Sequence, residues 1–169
     1  YANPEAQLLN ASKLSGRTNS GLGIGVFNAV VGRSKVKYSD KEGNSYEAET
    51  NPLTNYSVLV ADQQFKNNSY VSLINTNVLR VGEAYDANVT GTEYLFRTDD
   101  QNFQVSGSAA LSQKYSSENT DLGYTYNVDA GKVSGQFTYG ISYREESPDY
   151  DINDLGFIRS ANERTVRLR

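Results

Sequence analysis

Phe103-Gln-Val-Ser-Gly-Ser-Ala-Ala-Leu-Ser-Gln-Lys-Tyr115 alternates apolar and small polar residues almost without error. Phe103, Val105, Gly107, Ala109, Leu111, Gln113 and Tyr115 fall on one side, and Gln104, Ser106, Ser108, Ala110, Ser112 and Lys114 on the other. Successive side chains of a strand point to opposite faces, so the segment offers one greasy and one wet surface. Val133–Arg144 repeats the pattern: Val133, Gly135, Phe137, Tyr139, Ile141 and Tyr143 oppose Ser134, Gln136, Thr138, Gly140, Ser142 and Arg144. Long alternating segments of this kind are the signature of membrane-spanning β-strands.

Composition favours a barrel over a packed soluble core. Hydrophobic residues make up 37% of the chain, and mean hydropathy is −0.60. A barrel tolerates this because only the outward half of each strand must be apolar. Tyr is the dominant aromatic, 13 residues against 6 Phe and no Trp, and several sit at strand ends, as in the girdles of a lipid–water interface. The 3 prolines leave long strands uninterrupted.

Several function classes are disfavoured. No segment approaches the roughly 20 apolar residues of a spanning helix, and no basic-then-apolar leader opens the chain, which reads as a mature or internal piece. Without Cys or His the chain has no disulfide framework, no thiolate metal site and no Ser-His-Asp triad of its own. A net charge of −4 and a sequence pI near 4.9 argue against nucleic acid as a partner.

Turn signals fall in alternation. Thr18–Gly21, Lys66–Ser69, Thr98–Asn102 and Asp129-Ala130-Gly131 are short; Ser39–Ser45, Val81–Asp86, Ser116–Asp121 and Glu145–Asn162 are longer. Outer-membrane barrels alternate periplasmic turns and extracellular loops in this way. The pattern predicts about nine strands: Gln7–Thr18, Leu22–Tyr38, Tyr46–Phe65, Tyr70–Arg80, Ala87–Arg97, Phe103–Tyr115, Leu122–Val128, Val133–Arg144 and a start at Arg164. The second and third are overlong. A turn at Asp40–Asn44 sets Leu22 opposite about Asp62 and Val31 opposite about Leu53, leaves the charged tip of Lys35, Lys37, Glu47 and Glu49 outside the bilayer, and makes Pro52 the site of a bulge or break. The expected fold is therefore an all-β, antiparallel, up-and-down transmembrane β-barrel. Residues 1–169 are expected to form part of one such domain, since single-chain barrels have an even strand number and no open edge.

Several ordered segments resemble a family of Bacteroidota-type outer-membrane proteins in which a module similar to family 9 carbohydrate-binding domains precedes a C-terminal barrel of unknown function. They are Asn10–Thr18, Gly21–Ala29, Pro52–Val60, Gln63–Asn77, Asp86–Thr92 and Tyr150–Phe157. The resemblance implies the front part of that family's barrel, with its carbohydrate-binding-like module and remaining strands outside this chain. It implies no catalytic residue.

Expected lipid-facing residues are Phe103, Val105, Leu111, Val133, Phe137, Tyr139 and Ile141; expected lumen-facing residues are Gln104, Ser106, Lys114, Gln136 and Arg144. Lys13, Ser15 and Arg17 share one strand face and, with Lys114, Lys132 and Arg144, could form a basic stripe drawing anionic substrates into a lumen. The plainer reading pairs them with acids such as Asp62, Glu93 or Asp129. Asp149, Asp151 and Asn153, with Glu145 and Glu146 nearby, open like a calcium loop, but Asp154 and Ser160 stand where Gly and the closing Glu belong, so an acidic solvated loop is the stronger reading. Asp154-Leu-Gly-Phe157 reads as a turn or plug-like contact, with Phe157 packed on the barrel rather than facing water. Gly21-Leu-Gly-Ile-Gly25 lacks the spacing and following helix of a nucleotide loop, and suits a strand bared beneath bulky neighbours. Asp99-Asp100 and Glu145-Glu146 are adjacent, so each pair should point apart rather than form a hydrolytic couple.

The sequence thus predicts a non-catalytic, cofactor-free barrel segment of the bacterial outer membrane, surrounded by lipid and lipopolysaccharide. It would serve as scaffold or channel for transport or glycan handling, or as accessory subunit of an envelope assembly or secretion complex. A soluble extracellular sheet binding glycans through exposed tyrosines is the alternative.

Overall fold

A computed structural model describes residues 7–169, in which eleven strands and no helix are found. They are β1 (Leu8–Arg17), β2 (Leu22–Val31), β3 (Ser34–Ser39), β4 (Ser45–Asn51), β5 (Thr54–Gln64), β6 (Tyr70–Arg80), β7 (Asp86–Arg97), β8 (Phe103–Tyr115), β9 (Thr120–Lys132), β10 (Tyr139–Glu146) and β11 (Arg164–Leu168). Nine of them form one antiparallel sheet in the order β1-β2-β5-β6-β7-β8-β9-β10-β11, and β3-β4 is a separate two-stranded ribbon. Every neighbour in the large sheet is the next strand in the chain once the ribbon is set aside. β1 and β11 are its two edges and are not paired with each other.

Short turns carry the chemistry that closes them. At Lys66–Ser69 the Ser69 amide donates to Lys66 O at 3.1 Å, while Asn67 and Asn68 take φ of 60° and 56°, the type I′ geometry that matches strand twist. At Thr18–Gly21 the left-handed φ of Gly21, +87°, completes the reversal.

The expected long second and third strands are each broken, at residues 32–33 and 52–53, and the ribbon continues beyond the break. Its register follows the turn at Asp40–Asn44, with Lys35 opposite Glu49 and Tyr38 opposite Tyr46, but Ser34 lies opposite Asn51. Thr50 is the extra residue of a bulge, its Oγ1 donating to Ser34 O at 3.2 Å. The bulge shifts the pairing below it by one: Leu22 faces Gln63 and Val31 faces Thr54, rather than Asp62 and Leu53. A one-residue shift exchanges the faces of a strand. Here it turns Asp62 to the same side as Gly23 and Arg17.

The other displaced boundary is at β9. Asp129-Ala130-Gly131, expected as a turn, lies inside β9, and the connection is residues 133–138. Extending β9 to Lys132 lets it pair with β8 as far as Phe103, which keeps its backbone groups bonded.

Alternation and register divide the large sheet into two faces. On the inner face lie the well-buried Thr54, Val78, Ala87 and Ser112 and the folded-in segment 147–158. The outer face presents Leu14, Ile24, Val26, Leu59, Leu73, Phe96, Val105, Leu111, Val128, Ile141 and Val166, all exposed. Large apolar side chains are thus concentrated on the uncovered side of the sheet.

Candidate functional site

One cross-strand row of the inner face crosses all nine strands. Arg17, Gly23, Asp62, Ser72, Glu93, Ser108, Asn127, Arg144 and Thr165 are successive register partners from β1 to β11. Every member except Gly23 carries a hydrogen-bonding side chain. The row is partly self-satisfied: Arg17 Nη2 and Asp62 Oδ2 meet at 2.7 Å, Tyr70 Oη donates to Glu93 Oε1 at 2.7 Å, and Asn127 Nδ2 donates to Ser108 Oγ at 2.5 Å. Gly23 makes the first of these possible. A Cβ there would stand 2.2 Å from Asp62 Oδ1 and 2.9 Å from Arg17 Nη2, so the glycine leaves the strand bare beneath an ion pair joining its two neighbours.

Toward the long-loop end, residues 147–158 form a strap across the inner face. The strap is fixed through its backbone first. Ser147 N donates to Tyr124 O at 2.8 Å, Tyr124 N to Ser147 Oγ at 2.8 Å, and Asp151 N to Ser112 Oγ at 3.1 Å. Gly123 is the cradle, since a Cβ there would meet the backbone of Asp149 and Tyr150 at 2.2–2.3 Å. Only a residue without a side chain lets the strap lie against β9.

Two ion pairs hold the far end: Lys114 on β8 with Asp151, and Arg80 on β6 with Asp154. Tyr85, from the β6–β7 loop, donates its phenol to Asp154 Oδ1 at 3.1 Å. Its ring receives the Arg80 guanidinium at 4.6 Å and the Lys114 ammonium at 5.1 Å, cation–π contacts that tie both cations to one aromatic. The hydrogen bond from Lys114 holds the Asp151 carboxyl below the usual carboxylate range. Burial, then the neighbouring Asp154, raises the Tyr85 phenol above its ordinary value, and burial first raises that of Tyr150.

Beneath the strap lies a groove of about 490 Å³, lined by Ser72, Glu93, Ser108, Asn127, Arg144 and Glu146 from the sheet and by Tyr150, Ile152 and Phe157 from the strap. Asn127 and Arg144 also wall a second hollow of about 390 Å³ toward β11, with Asp129, Glu163 and Arg167.

The sequence-derived site residues are distributed as follows. Gln104, Ser106, Lys114 and Arg144 are on the inner face, while Gln136 lies in the 133–138 connection. Phe103, Val105, Leu111, Tyr139 and Ile141 share the outer face and are exposed, whereas Val133 and Phe137 belong to the same connection as Gln136. Lys13, Ser15 and Arg17 do share the inner face. Lys132 does not, since it lies level with Phe103 and Tyr139 on the outer side. The basic residues form no continuous stripe: Arg17 pairs with Asp62, Lys114 with Asp151 and Arg144 with Glu146.

Asp151 is occupied by Lys114 and by the side chain of Asn153, which donates to Oδ1 at 2.8 Å, and Asn153 Oδ1 accepts from Ile158 N at 2.8 Å. Among the described residues no three acidic side chains are grouped to hold a metal ion. Phe157, expected against the barrel wall, is instead 78% exposed at the rim of the groove. Glu145 and Glu146 point to opposite faces, while Asp99 accepts from Asn67 Nδ2 of the neighbouring β5–β6 turn at 2.6 Å and Asp100 accepts within its own turn from Asn102 Nδ2 at 2.6 Å.

Two outer-face clusters escape a reading by single segments. Ser12, Asn28, Ser57, Asn77, Asn88 and Gln113 are register partners across six strands. Their amides bond within the row and to the adjacent one: Asn88 Nδ2 donates to Asn77 Oδ1 at 2.5 Å and Asn77 Nδ2 to Asn75 Oδ1 at 2.6 Å. Glu145 accepts the phenols of Tyr124, Tyr126 and Tyr143 and the Arg164 guanidinium. In both clusters polar groups on an otherwise apolar face find hydrogen-bond partners sideways, within the sheet.

A family model described as Domain of unknown function (DUF5916) matches residues 2–169. The chain belongs to this family. Comparison with curated proteins and with solved structures finds no match. For a DUF5916 chain, function has to be argued from the site itself, and here the site is a polar row, a groove above it and a strap pinned across its upper half.

Proposed function

We propose that this chain is part of an outer-membrane β-barrel whose inner face lines a strapped lumen. In the cell envelope it would act as scaffold or channel, in transport, glycan handling or as accessory subunit of an assembly or secretion complex. The observation that carries this reading is the opposition of the two faces: broad exposed apolar rows outside, and inside a row with a hydrogen-bonding side chain on every strand of the sheet but β2. Water-filled barrels distribute polarity in this sense, and soluble sheets in the opposite one. Strand length agrees, since β1, β2 and β5–β9 run 10 to 13 residues, and about 9–11 tilted residues cross a bilayer.

The open edges at β1 and β11 fit a barrel completed by further strands, because an unpaired strand edge is not tolerated in hydrocarbon. The resemblance to Bacteroidota-type envelope proteins bearing a carbohydrate-binding-like module supports both the location and a role near glycans. Chemistry within this segment is not part of the proposal: the inner acids Asp62 and Glu146 are engaged by arginines, and Glu93 accepts from the Tyr70 phenol.

The test is extraction of the full-length protein from membranes with alkaline carbonate, followed by gel migration before and after boiling. Retention in the outer-membrane pellet with a heat-dependent mobility shift is expected. Release into the soluble fraction would favour instead a soluble glycan-binding sheet.

A further inference from the structure

We infer that the groove between the strap and the inner polar row is a binding subsite for a neutral, hydroxyl-rich ring, that is, for a saccharide chain. This deepens the proposed function, resting on its water-filled inner face, and names the ligand class of that face.

The wall carries charged groups of both signs. An anionic ligand would meet Glu93 and Glu146, and a cationic one would meet Arg144; both acids and the arginine line the same groove. Arg144 and Glu146 already neutralise each other, so neither is left to capture a counter-ion. What remains is a mixture of hydrogen-bonding capacity. Glu93 spends Oε1 on the Tyr70 phenol, leaving Oε2 without a partner among the described residues. Asn127 spends its amide nitrogen on Ser108 and keeps its carbonyl oxygen as an acceptor. Arg144 uses Nε and Nη2 on Glu146 and keeps Nη1, with the guanidinium side chain 57% exposed. Hydroxyl groups both donate and accept, so they satisfy carboxylate, amide and guanidinium together, whereas a single-sign ligand leaves part of this set unmatched.

The rim supplies the complementary surface. Phe157 lines the groove yet is 78% exposed, an aromatic side chain at the edge of a row of polar side chains. A sugar ring has the matching anatomy, apolar C–H faces and a polar edge. Glu93, Ser108, Asn127 and Arg144 sit on four successive strands, so they spread over about 14 Å at a strand spacing of roughly 4.8 Å. That is longer than one ring and suits an oligomer. The groove's volume of about 490 Å³ falls in the usual range for small-molecule sites.

The experiment titrates the full chain in detergent with cellohexaose, maltohexaose and chitohexaose, with hexaglutamate and hexalysine as charged controls, read by saturation-transfer NMR and calorimetry. At least one neutral hexasaccharide should bind, and Phe157→Ala and Asn127→Leu should each weaken its Kd at least tenfold while the strap amides keep their protection from hydrogen exchange. Absence of binding by all three sugars, unchanged binding in both variants, or equal affinity for either charged peptide overturns the inference. Carbonate extraction of the same protein separates this from the wider reading. Retention in the membrane without sugar binding defeats the subsite alone; release with sugar binding intact defeats the membrane reading and leaves the subsite standing.

Discussion

Arg17 on β1 and Asp62 on β5 meet at 2.7 Å over the bare backbone of Gly23 on the strand between them. Gly123 does the same for the strap, but there the closest atoms to an added Cβ are backbone atoms of Asp149 and Tyr150 rather than a side-chain tip. The distinction sets the size of two effects. In Gly23→Ala the Asp62 carboxylate can swing away, and only a half-exposed ion pair is lost, about 0–1 kcal/mol. In Gly123→Ala the strap backbone has to move, with a cost of about 1–3 kcal/mol typical of overpacking. Denaturation of the two variants in detergent should rank them in that order. Limited proteolysis should find segment 147–163 newly cleavable in Gly123→Ala only.

The latch on the strap is sensitive to acid. Asp151 lies below the usual carboxylate range, chiefly through the Lys114 hydrogen bond, so its proton is bound more weakly in the docked strap than in a free chain. Its contribution to docking is fully present above the unperturbed carboxylate value of about 3.9 and fades as pH falls through the lowered one. Hydrogen exchange at the amides of Tyr150, Asp151 and Asn153, corrected for intrinsic rates, should therefore lose protection only in strongly acidic solution. Lys114→Gln should reduce that protection already at neutral pH and flatten its further dependence on acid. An unchanged acid profile in Lys114→Gln would show that Asp151 does not govern docking.

Much of the architecture was legible because alternation is a local property. β6 and β8 begin and end where their patterns do, at Tyr70 and Arg80 and at Phe103 and Tyr115, and the meander follows from turn chemistry. Parity across the ribbon was not legible. Nothing in Glu49-Thr50-Asn51 marks Thr50 as the supernumerary residue, and its consequence, Asp62 on the same face as Arg17, appears only once the strands are paired. The 133–138 connection misled for a related reason: it keeps the alternation of a strand, while Gly135 adopts a φ of +90° that breaks the extended backbone. The strap was visible only as an acidic loop, since Gly123, Ser112, Tyr85 and Lys114 come from three other parts of the chain. The inner and outer polar rows are likewise non-local, each strand contributing a single residue.

The displaced connection changes which substitution best tests membrane insertion. Phe137 is 80% exposed in the connection after β9, so an arginine there would lie near the end of the sheet. Leu111 is well inside β8, exposed on the outer face and flanked by Thr90 and Tyr124 on the adjoining strands. Charge on the lipid face of a barrel costs about 2–4 kcal/mol for arginine at the bilayer midplane and falls to about 0–1 kcal/mol near the interfaces. Leu111→Arg should therefore impair folding into lipid vesicles, measured by the fraction acquiring heat-modifiable migration, while Phe137→Arg should fold nearly as the unsubstituted chain does. Ser108→Arg is the control for the opposite face, since its side chain would enter a polar, hydrated row and should leave insertion largely intact. If Leu111→Arg inserted as well as Ser108→Arg, the two faces would be equivalent to lipid and the barrel reading would fail at its central premise.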